Sequence, residues 1–164
     1  GRSAAGVRGI RLRDNDYVIG SAILEPESKV FVISENGYGK QTAASEYPIK
    51  GRGGKGIKTT NITEKNGPLA GLTTVNGDED IMVITDKGVM IRFKISDVSE
   101  TGRATLGVRL INLGADSIVS TMTKVEPEDE NDEEATQEVS TEISGDTKES
   151  DVARLLDAAQ KDDE

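Results

Sequence analysis

GRGGKGIK, residues 51–58, is the middle of three copies of one motif in this chain. The first copy is GRSAAGVR at residues 1–8 and the third is GRATLGVR at residues 102–109, so the shared pattern is G-R-x-x-x-G-[VI]-[KR]. A second block repeats with the same spacing, as VFVISENG at residues 30–37 and IMVITDKG at residues 81–88. Self-similarity at a period near 50 residues predicts one supersecondary unit that is repeated, each unit burying its apolar face against the next.

The residues between the motif copies have the pattern of β-strands. Val30–Ile33 and Ile81–Ile84 are short apolar runs that end in a glycine turn, which predicts a buried strand entering a hairpin. After the second turn, apolar and polar residues alternate, and period two separates the two faces of a strand. The side chains predicted to face the core are Val89, Ile91, Phe93 and Ile95, and those predicted to face solvent are Met90, Arg92 and Lys94.

Further strands are predicted on both sides of these hairpins. Ile10 and Leu12 alternate with Arg11 and Arg13. A third strand in each unit is predicted at Tyr17–Leu24, Leu69–Val75 and Ile118–Val125. Repeats of about 50 residues with about four short strands are typical of propeller blades. The predicted fold class is therefore all-β, with repeats near residues 1–50, 51–101 and 102–125.

The charge of the chain is divided unevenly. The whole chain of 164 residues has a net charge of −10. Residues 1–124 contain 17 Lys and Arg against 14 Asp and Glu, whereas residues 125–164 contain 3 against 16. The segment 126–164 has too little apolar content to offset the entropy of ordering and is predicted to be a disordered acidic tail. Within it, Val152, Leu155, Leu156 and Ala159 have the spacing of a short helix over residues 150–161.

Several classes of function lack the residues that they need. The chain has no cysteine and no histidine, so thiolate chemistry and the commonest general base and metal ligand are absent. We predict no catalytic residue and no metal site in this sequence. No apolar run approaches the roughly 18 residues of a membrane span and no signal peptide is visible, which predicts a cytoplasmic location. Because the sequence begins inside a motif copy and without Met, we expect it to be part of a longer protein.

The glycine-rich turn of the middle copy is the candidate binding element. Glycines at its positions allow positive φ and a close approach of the backbone to a ligand: Gly51, Gly53, Gly54 and Gly56. A nucleotide-binding P-loop would need glycine at position 49 and Ser or Thr at position 56. This chain has Ile49 and Gly56 there, so the turn does not match a P-loop. A turn that only connects strands needs the glycines but not the repeated cations. Arg and Lys beside an open backbone are what phosphate contacts require. With few aromatic side chains for base stacking, double-stranded nucleic acid is the better match.

The same residues carry a resemblance to a known family. ENGYGKQT at residues 35–42, EYPI at residues 46–49, the motif copies at 51–58 and 102–109, and ITDKGV at residues 84–89 resemble the C-terminal domain of the A subunit of bacterial DNA gyrase. The resemblance covers residues 1 to about 125. It implies a β-pinwheel, a six-bladed propeller-like disc around whose basic rim DNA bends. This chain would hold part of the fourth blade, the fifth and the sixth, followed by the acidic tail.

The resemblance also implies roles for individual cations. The family's wrapping motif is Q-[RK]-R-G-G-[KR]-G, and RGGKG at residues 52–56 matches its last five positions. Contacts with DNA are therefore expected of Arg52 and Lys55, and the internal repeat extends them to the corresponding cations of the other copies: Arg2, Arg8, Lys58, Arg103 and Arg109. Lys50, Arg92 and Lys94 complete the predicted DNA-binding set. Tyr17, Tyr38 and Tyr47 are not expected to be nucleophiles.

The implied partners are double-stranded DNA, the rest of the A subunit, and the B subunit in an A2B2 complex, with no membrane. The parent enzyme would be an ATP-dependent type II topoisomerase that introduces negative supercoils, using ATP and Mg²⁺ outside this region, so no cofactor is expected here. Two alternatives stay open: the corresponding C-terminal domain of topoisomerase IV, and a propeller-like module for protein interaction. Steep salt dependence of duplex binding would separate DNA binding from the second alternative.

Overall fold

The computed structural model describes residues 1–114 and 116–127. These residues form strands, turns and two single-turn 3-10 helices, Ala44–Glu46 and Ile95–Asp97, with no α-helix among them. The described part of the chain therefore offers no helix long and apolar enough to cross a membrane. The predicted acidic tail beyond residue 127, with its helix over residues 150–161, lies outside the described residues. The strands are β1 (Lys29–Ser34), β2 (Tyr38–Ala43), β3 (Leu69–Val75), β4 (Asp80–Thr85), β5 (Met90–Lys94), β6 (Val108–Arg109) and β7 (Val119–Val125).

The strands form two antiparallel sheets of related topology. The first has the order β3-β1-β2-β6 and the second the order β5-β4-β7. In each sheet a hairpin, β1–β2 or β4–β5, is completed by a strand that comes much later in the chain, β3 or β7. The fourth strand of the first sheet, β6, belongs to the third motif copy and pairs Arg109 with Tyr38 and Val108 with Gly39. Each hairpin is thus extended, within its own sheet, by a strand from the next repeat.

The repeat predicted from the sequence extends to irregular details. A break in register follows Ile33 in the pairing of β1 with β3, and its counterpart follows Ile84 in the pairing of β4 with β7. Both hairpins end in a 3-10 turn. Because bulges interrupt the ladder at a fixed place, their recurrence at the repeat spacing shows that the two units share one backbone design.

The core lies between the two sheets and draws on both repeats. Phe31 and Ile33 of β1 and Ile81 and Val83 of β4 are fully buried. Phe93 of β5 packs its ring edge-on against Phe31, with centroids 6.2 Å apart. Further buried members come from the segments after the hairpins, namely Val75, Ile95, Val98, Ile111 and Val119. Each hairpin therefore gains its stability from burial against the other repeat.

Most of the predicted strands are confirmed. Val30–Ile33 and Ile81–Ile84 lie in β1 and β4, Leu69–Val75 is β3, and β7 starts one residue inside Ile118–Val125. In β5, Ile91 and Phe93 pack against the core as predicted, followed by buried Ile95. The assignments of Val89 and Arg92 were wrong. Val89 is 54% exposed because it belongs to the turn before β5. Arg92 is half-buried, with Nε 2.8 Å from Asp80 Oδ2.

Two predicted strands near the start of the sequence are also wrong. Tyr17–Leu24 forms no strand, and Tyr17, Val18 and Ile23 are more than half exposed. β3 and β7 each pair with a hairpin strand about 40 residues before them, whereas Tyr17–Leu24 pairs with no strand among the described residues. The alternating segment at Ile10 makes only an isolated bridge to Gly54. A strand pattern without a partner for its hydrogen bonds does not form a ladder.

Lys40 in β2 fixes the third motif copy to the first sheet. Its side chain is buried, with the residue 1% exposed. Lys40 Nζ donates to Gly102 O at 2.8 Å, Arg103 O at 2.8 Å and Thr105 O at 3.2 Å. Burial lowers the pKa of the Lys40 ammonium and neighbouring Arg103 lowers it further, while Glu46 opposes both. The carbonyl oxygens of the motif turn therefore take over the role of water around a buried cation.

Replacing this cation should release the turn. We expect Lys40→Met to reduce the free energy of unfolding by about 1–3 kcal/mol, because buried carbonyls lose their donor. Lys94→Met, at an exposed position of β5, is the matched control and should change stability by no more than about 0.5 kcal/mol. Urea unfolding of both variants checks the difference. Equal losses in the two variants would show that Lys40 does not hold the turn.

Glu79, between β3 and β4, generates a prediction about pH. Burial alone would raise the pKa of Glu79, but hydrogen bonds from the backbone amides of Asn76 and Gly77 and from the Lys124 ammonium bring it down to about 2. Because the pKa is lower in the folded state than the ordinary 4.5, these bonds contribute their full stability above about pH 4.5. That contribution is lost as the pH falls towards 2.

We therefore expect acid to destabilise the native chain more than the Glu79→Gln variant. The difference between pH 5 and pH 2 should reach about 3 kcal/mol at most, at 1.36 kcal/mol for each pKa unit. Urea unfolding at a series of pH values measures it. Glu27→Gln, which alters an exposed carboxylate, should follow the native chain. If the curves of Glu79→Gln and the native chain run parallel, the capping interaction contributes nothing.

Candidate nucleic-acid interface

The sixth residue of every motif copy has a left-handed backbone. The φ angles are +74° at Gly6, +77° at Gly56 and +82° at Gly107, values at which any residue with a Cβ is strained. At Gly107 a Cβ would also lie 2.6 Å from Gly39 O. Of the other turn glycines predicted in the middle copy, Gly53 has positive φ. The repeated glycine is therefore a requirement of the backbone, and it does not by itself indicate a ligand.

Backbone hydrogen bonds join each motif copy to the next. Arg11 N donates to Gly54 O at 2.8 Å, and at the next repeat Asn61 N donates to Thr105 O at 3.2 Å. The backbone next to one copy consequently contacts the turn of the following copy, although the copies are some 50 residues apart in sequence.

Eight of the ten predicted cations are exposed, and seven of these eight, all except Arg109, have no partner among the described residues. The side chains of the seven form no ion pair or hydrogen bond within residues 1–114 and 116–127: Arg2, Arg8, Lys50, Arg52, Lys55, Lys58 and Lys94. Cations without a carboxylate partner are free to bind an external anion.

Four of these seven cations lie in or next to the middle motif copy, which borders an open cleft. The cleft measures about 440 Å³ and lies between the first two copies. Lys50 and Lys55 contribute to its walls, and Ile10 and four glycines form the rest: Gly9, Gly51, Gly54 and Gly56. The four glycines have no side chain and are exposed. This combination of point charges and open backbone is suited to phosphate oxygens.

The other predicted cations are engaged inside the molecule. Arg103 binds two neighbouring segments: its backbone N–H donates to Glu46 Oε2 at 3.1 Å and its Nη1 to Lys58 O at 3.0 Å. Its Nε is 3.9 Å from Glu46 Oε2, too far for a hydrogen bond, and is buried without another partner. Arg103 therefore ties the third motif copy to the second. Arg103 and Arg52 occupy the same motif position, but Arg103 binds within the protein and Arg52 is exposed.

Arg92 and Arg109 also have intramolecular partners. Arg92 pairs with Asp80 across the β4–β5 hairpin and donates from Nη2 to Glu126 O at 2.7 Å. Arg109 donates from Nη2 to the Tyr38 hydroxyl at 3.1 Å and lies over the Tyr38 ring. The three motif copies therefore differ. The cations of the first two copies have no partner among the described residues, whereas Arg103 and Arg109 of the third copy bind other groups of the protein.

The sequence reasoning missed Lys40 and Lys65, two cations outside the motif. Lys40-Gln41-Thr42 is a polar run, which ordinarily indicates exposed positions, yet all three residues are buried in β2. For Lys65 there was no signal either, because the Tyr38 ring that it approaches is far from it in sequence. As for metal ligands, the described residues contain no group of three or more acidic side chains placed to hold a cation.

Comparison with protein families identifies the same region. The family model of the DNA gyrase C-terminal domain, a β-propeller, matches residues 1–25, 28–76 and 79–126. The DNA gyrase A protein of Staphylococcus epidermidis (strain ATCC 12228 / FDA PCI 1200) is 54% identical over 133 residues, which are 80% of this chain and 15% of that protein. Its counterpart in Staphylococcus aureus (strain NCTC 8325 / PS 47) is 50% identical over 146 residues, 85% of this chain and 16% of that protein.

Solved structures confirm the predicted fold class. The C-terminal domain of DNA gyrase A superposes with a TM-score of 0.68 at 24% identity, over 73% of this chain and 41% of that one. The C-terminal domain of DNA topoisomerase IV superposes with a TM-score of 0.70 at 22% identity, over 81% and 42%. At these identities the likeness concerns the fold alone, which is the all-β pinwheel.

The chain spans about one sixth of the length of the curated relatives that it matches. Within that span the family model covers most of residues 1–126, and the repeated G-R-x-x-x-G-[VI]-[KR] turns occur in its matched segments. From the family match, the identity to its relatives and the pinwheel fold, the chain belongs to the family of DNA gyrase A C-terminal domains.

Proposed function

We propose that this chain binds and wraps double-stranded DNA for a type II topoisomerase and so supports ATP-dependent negative supercoiling. The observation that carries the proposal is the set of seven exposed cations without carboxylate partners in the described part of the chain, six of which lie in or next to the first two glycine-turn motif copies. Names of the relatives add support, since the family is that of DNA gyrase. On this proposal the protein acts on the chromosome in the bacterial cytoplasm.

The mechanism is electrostatic. Each Lys or Arg that neutralises a phosphate releases a condensed counterion, which favours binding without regard to sequence. Bending a site of 20–30 base pairs costs of the order of 1–6 kcal/mol, and a series of phosphate contacts along a curved surface offsets this cost. The motif copies would present their cations to successive phosphates. The direction of the bend would then decide which crossing of DNA segments the enzyme favours.

In this proposal the chain takes no part in bond breakage and only positions the DNA. Strand breakage and ATP hydrolysis, with its Mg²⁺, would take place elsewhere in a complex of two A and two B subunits. A module for protein interaction is the alternative in another class, and the same cations would then serve an acidic partner. Duplex DNA is favoured because both the cations and the open glycine backbone of the middle copy are of the kind that contacts phosphates.

The proposal predicts a defined change in salt dependence. In the double variant Arg52→Gln and Lys55→Gln, duplex binding should weaken about equally for all DNA sequences. Losing two phosphate contacts should flatten the plot of log affinity against log salt by roughly 1.8, at about 0.9 for each phosphate. Fluorescence anisotropy with a labelled duplex over a range of salt concentrations measures the slope.

A matched control removes the same charge at paired positions. Lys29 lies 2.9 Å from Glu100 and Lys124 lies 3.2 Å from Glu79, so Lys29→Gln with Lys124→Gln should change the slope much less. If both double variants flatten the slope equally, only net charge matters and the glycine turn is not the contact site. If the native chain shows no salt-dependent binding to duplex DNA, the proposed function is wrong.

A further inference from the structure

Tyr38 lies between two cations from distant parts of the chain. The Arg109 guanidinium carbon is 5.4 Å from the centre of the Tyr38 ring and the Lys65 ammonium is 5.7 Å from it. Arg109 also donates from Nε and Nη2 to the Tyr38 hydroxyl, at 3.3 and 3.1 Å. Cation–π contacts of this kind attract each cation to the ring. The ring therefore holds together two positive charges that would otherwise repel each other.

The loop that carries Lys65 is fastened on both sides. Asn66 is 1% exposed and accepts a hydrogen bond from Thr63 N at 2.7 Å. Asn36, in the β1–β2 turn, donates from Nδ2 to Glu64 O at 3.2 Å and to Lys65 O at 3.1 Å. The backbone at Lys65 is thus bound directly to the turn next to Tyr38, which limits the positions open to its exposed side chain.

Arg109 is placed by the other side of the same turn. Gly37 O accepts hydrogen bonds from Leu110 N at 2.9 Å and Ile111 N at 3.3 Å. Gly37 has a φ of +76°, and a Cβ there would lie 2.8 Å from Ile111 O. Only glycine allows this approach. The turn Asn36–Gly37 therefore positions both cations before any ligand is bound.

Within residues 1–114 and 116–127, no carboxylate pairs with either of the two charges, Lys65 and Arg109. They border a concave pocket of about 240 Å³ whose remaining walls are neutral: Asn36, Tyr38, Ile111, Asn112, Leu113, Gly114 and Ser117. A pocket with two fixed cations and no acidic side chain in its walls favours an anion.

The pocket is a property of one repeat and not of the fold. Tyr38 corresponds to Val89 in the second unit, 51 residues later. Val89 is more than half exposed and offers neither a ring nor a hydroxyl. Because the second unit reaches the same strand arrangement without these groups, the tyrosine and its two cations are not needed to form the sheet. We therefore attribute Tyr38, Lys65 and Arg109 in the first unit to ligand binding.

We propose that Lys65 and Arg109 form a phosphate-binding pocket on Tyr38, and that its occupant is a phosphodiester group of duplex DNA. The second half of this statement depends on the proposed function. Arg supplies a planar set of donors and Lys a point charge, which together suit the oxygens of a phosphate. The pocket adds a contact outside the glycine turns, at a cation that the motif does not include.

Two experiments on the full chain test the pocket separately from DNA wrapping. In the first, inorganic phosphate is titrated while amide NMR signals are followed. Saturable shifts at Lys65, Arg109 and Asn112 are expected in the native chain and should be lost in Lys65→Gln. Absence of saturable shifts in the native chain overturns the pocket. Because inorganic phosphate is the probe, this result stands whether or not the chain binds DNA.

In the second experiment, Lys65→Gln is compared with the native chain in duplex binding at several salt concentrations. The log–log slope should flatten by about 0.9, the loss of one phosphate contact. Lys87→Gln is the control, since Lys87 lies in the second hairpin's turn, 3.6 Å from Asp86, and should leave the slope nearly unchanged. A native slope in Lys65→Gln, with native DNA binding intact, overturns the assignment of DNA as the source of the phosphate.

Discussion

The pairing of each hairpin with a strand far along the chain is the constraint on which the rest of the structure depends. β1 pairs with β3, and β4 with β7, in antiparallel ladders of six residue pairs each. The chain between β2 and β3, and again between β5 and β7, contains a motif copy. Closing the ladder therefore fixes both ends of the segment that carries the cations. Non-local pairing is slow to form because the intervening loop must first close, but it leaves a surface element held at two points.

The sequence predicts the features that depend on local patterns and fails for those that depend on contacts with distant residues. The hairpins and the third strands β3 and β7 could be predicted because apolar runs and glycine turns are local and occur twice at one spacing. Tyr17–Leu24 has the same local pattern but pairs with no strand in the described part of the chain, and a local pattern does not predict such pairing. The exposure of two residues differs from the prediction: Val89 is exposed because it lies in a turn, and Arg92 is half-buried because it pairs with Asp80.

The site was less predictable than the fold, because the role of a charge depends on its neighbours. Aligned copies make Arg52 and Arg103 look equivalent, yet Arg52 is exposed while Arg103 binds Glu46 and Lys58. Lys65 meets Tyr38 only after the loop has folded onto the hairpin turn. A repeat in sequence thus predicts the position of a cation along the backbone. Whether the cation stabilises the protein or is available to a ligand is decided by tertiary contacts.

Burial of Lys40 beneath the third motif copy has a consequence for chemical labelling. Amine-reactive reagents need an accessible, unprotonated amine, and the Lys40 amine is enclosed by Gly102, Arg103 and Thr105 while Lys50, Lys55 and Lys58 are open to solvent. An opening that exposes the Lys40 amine also removes the burial that lowers its pKa, so the exposed amine would react as an ordinary lysine does. The rate at which Lys40 is acylated would then report how often the motif lifts from the sheet, a local opening far smaller than global unfolding.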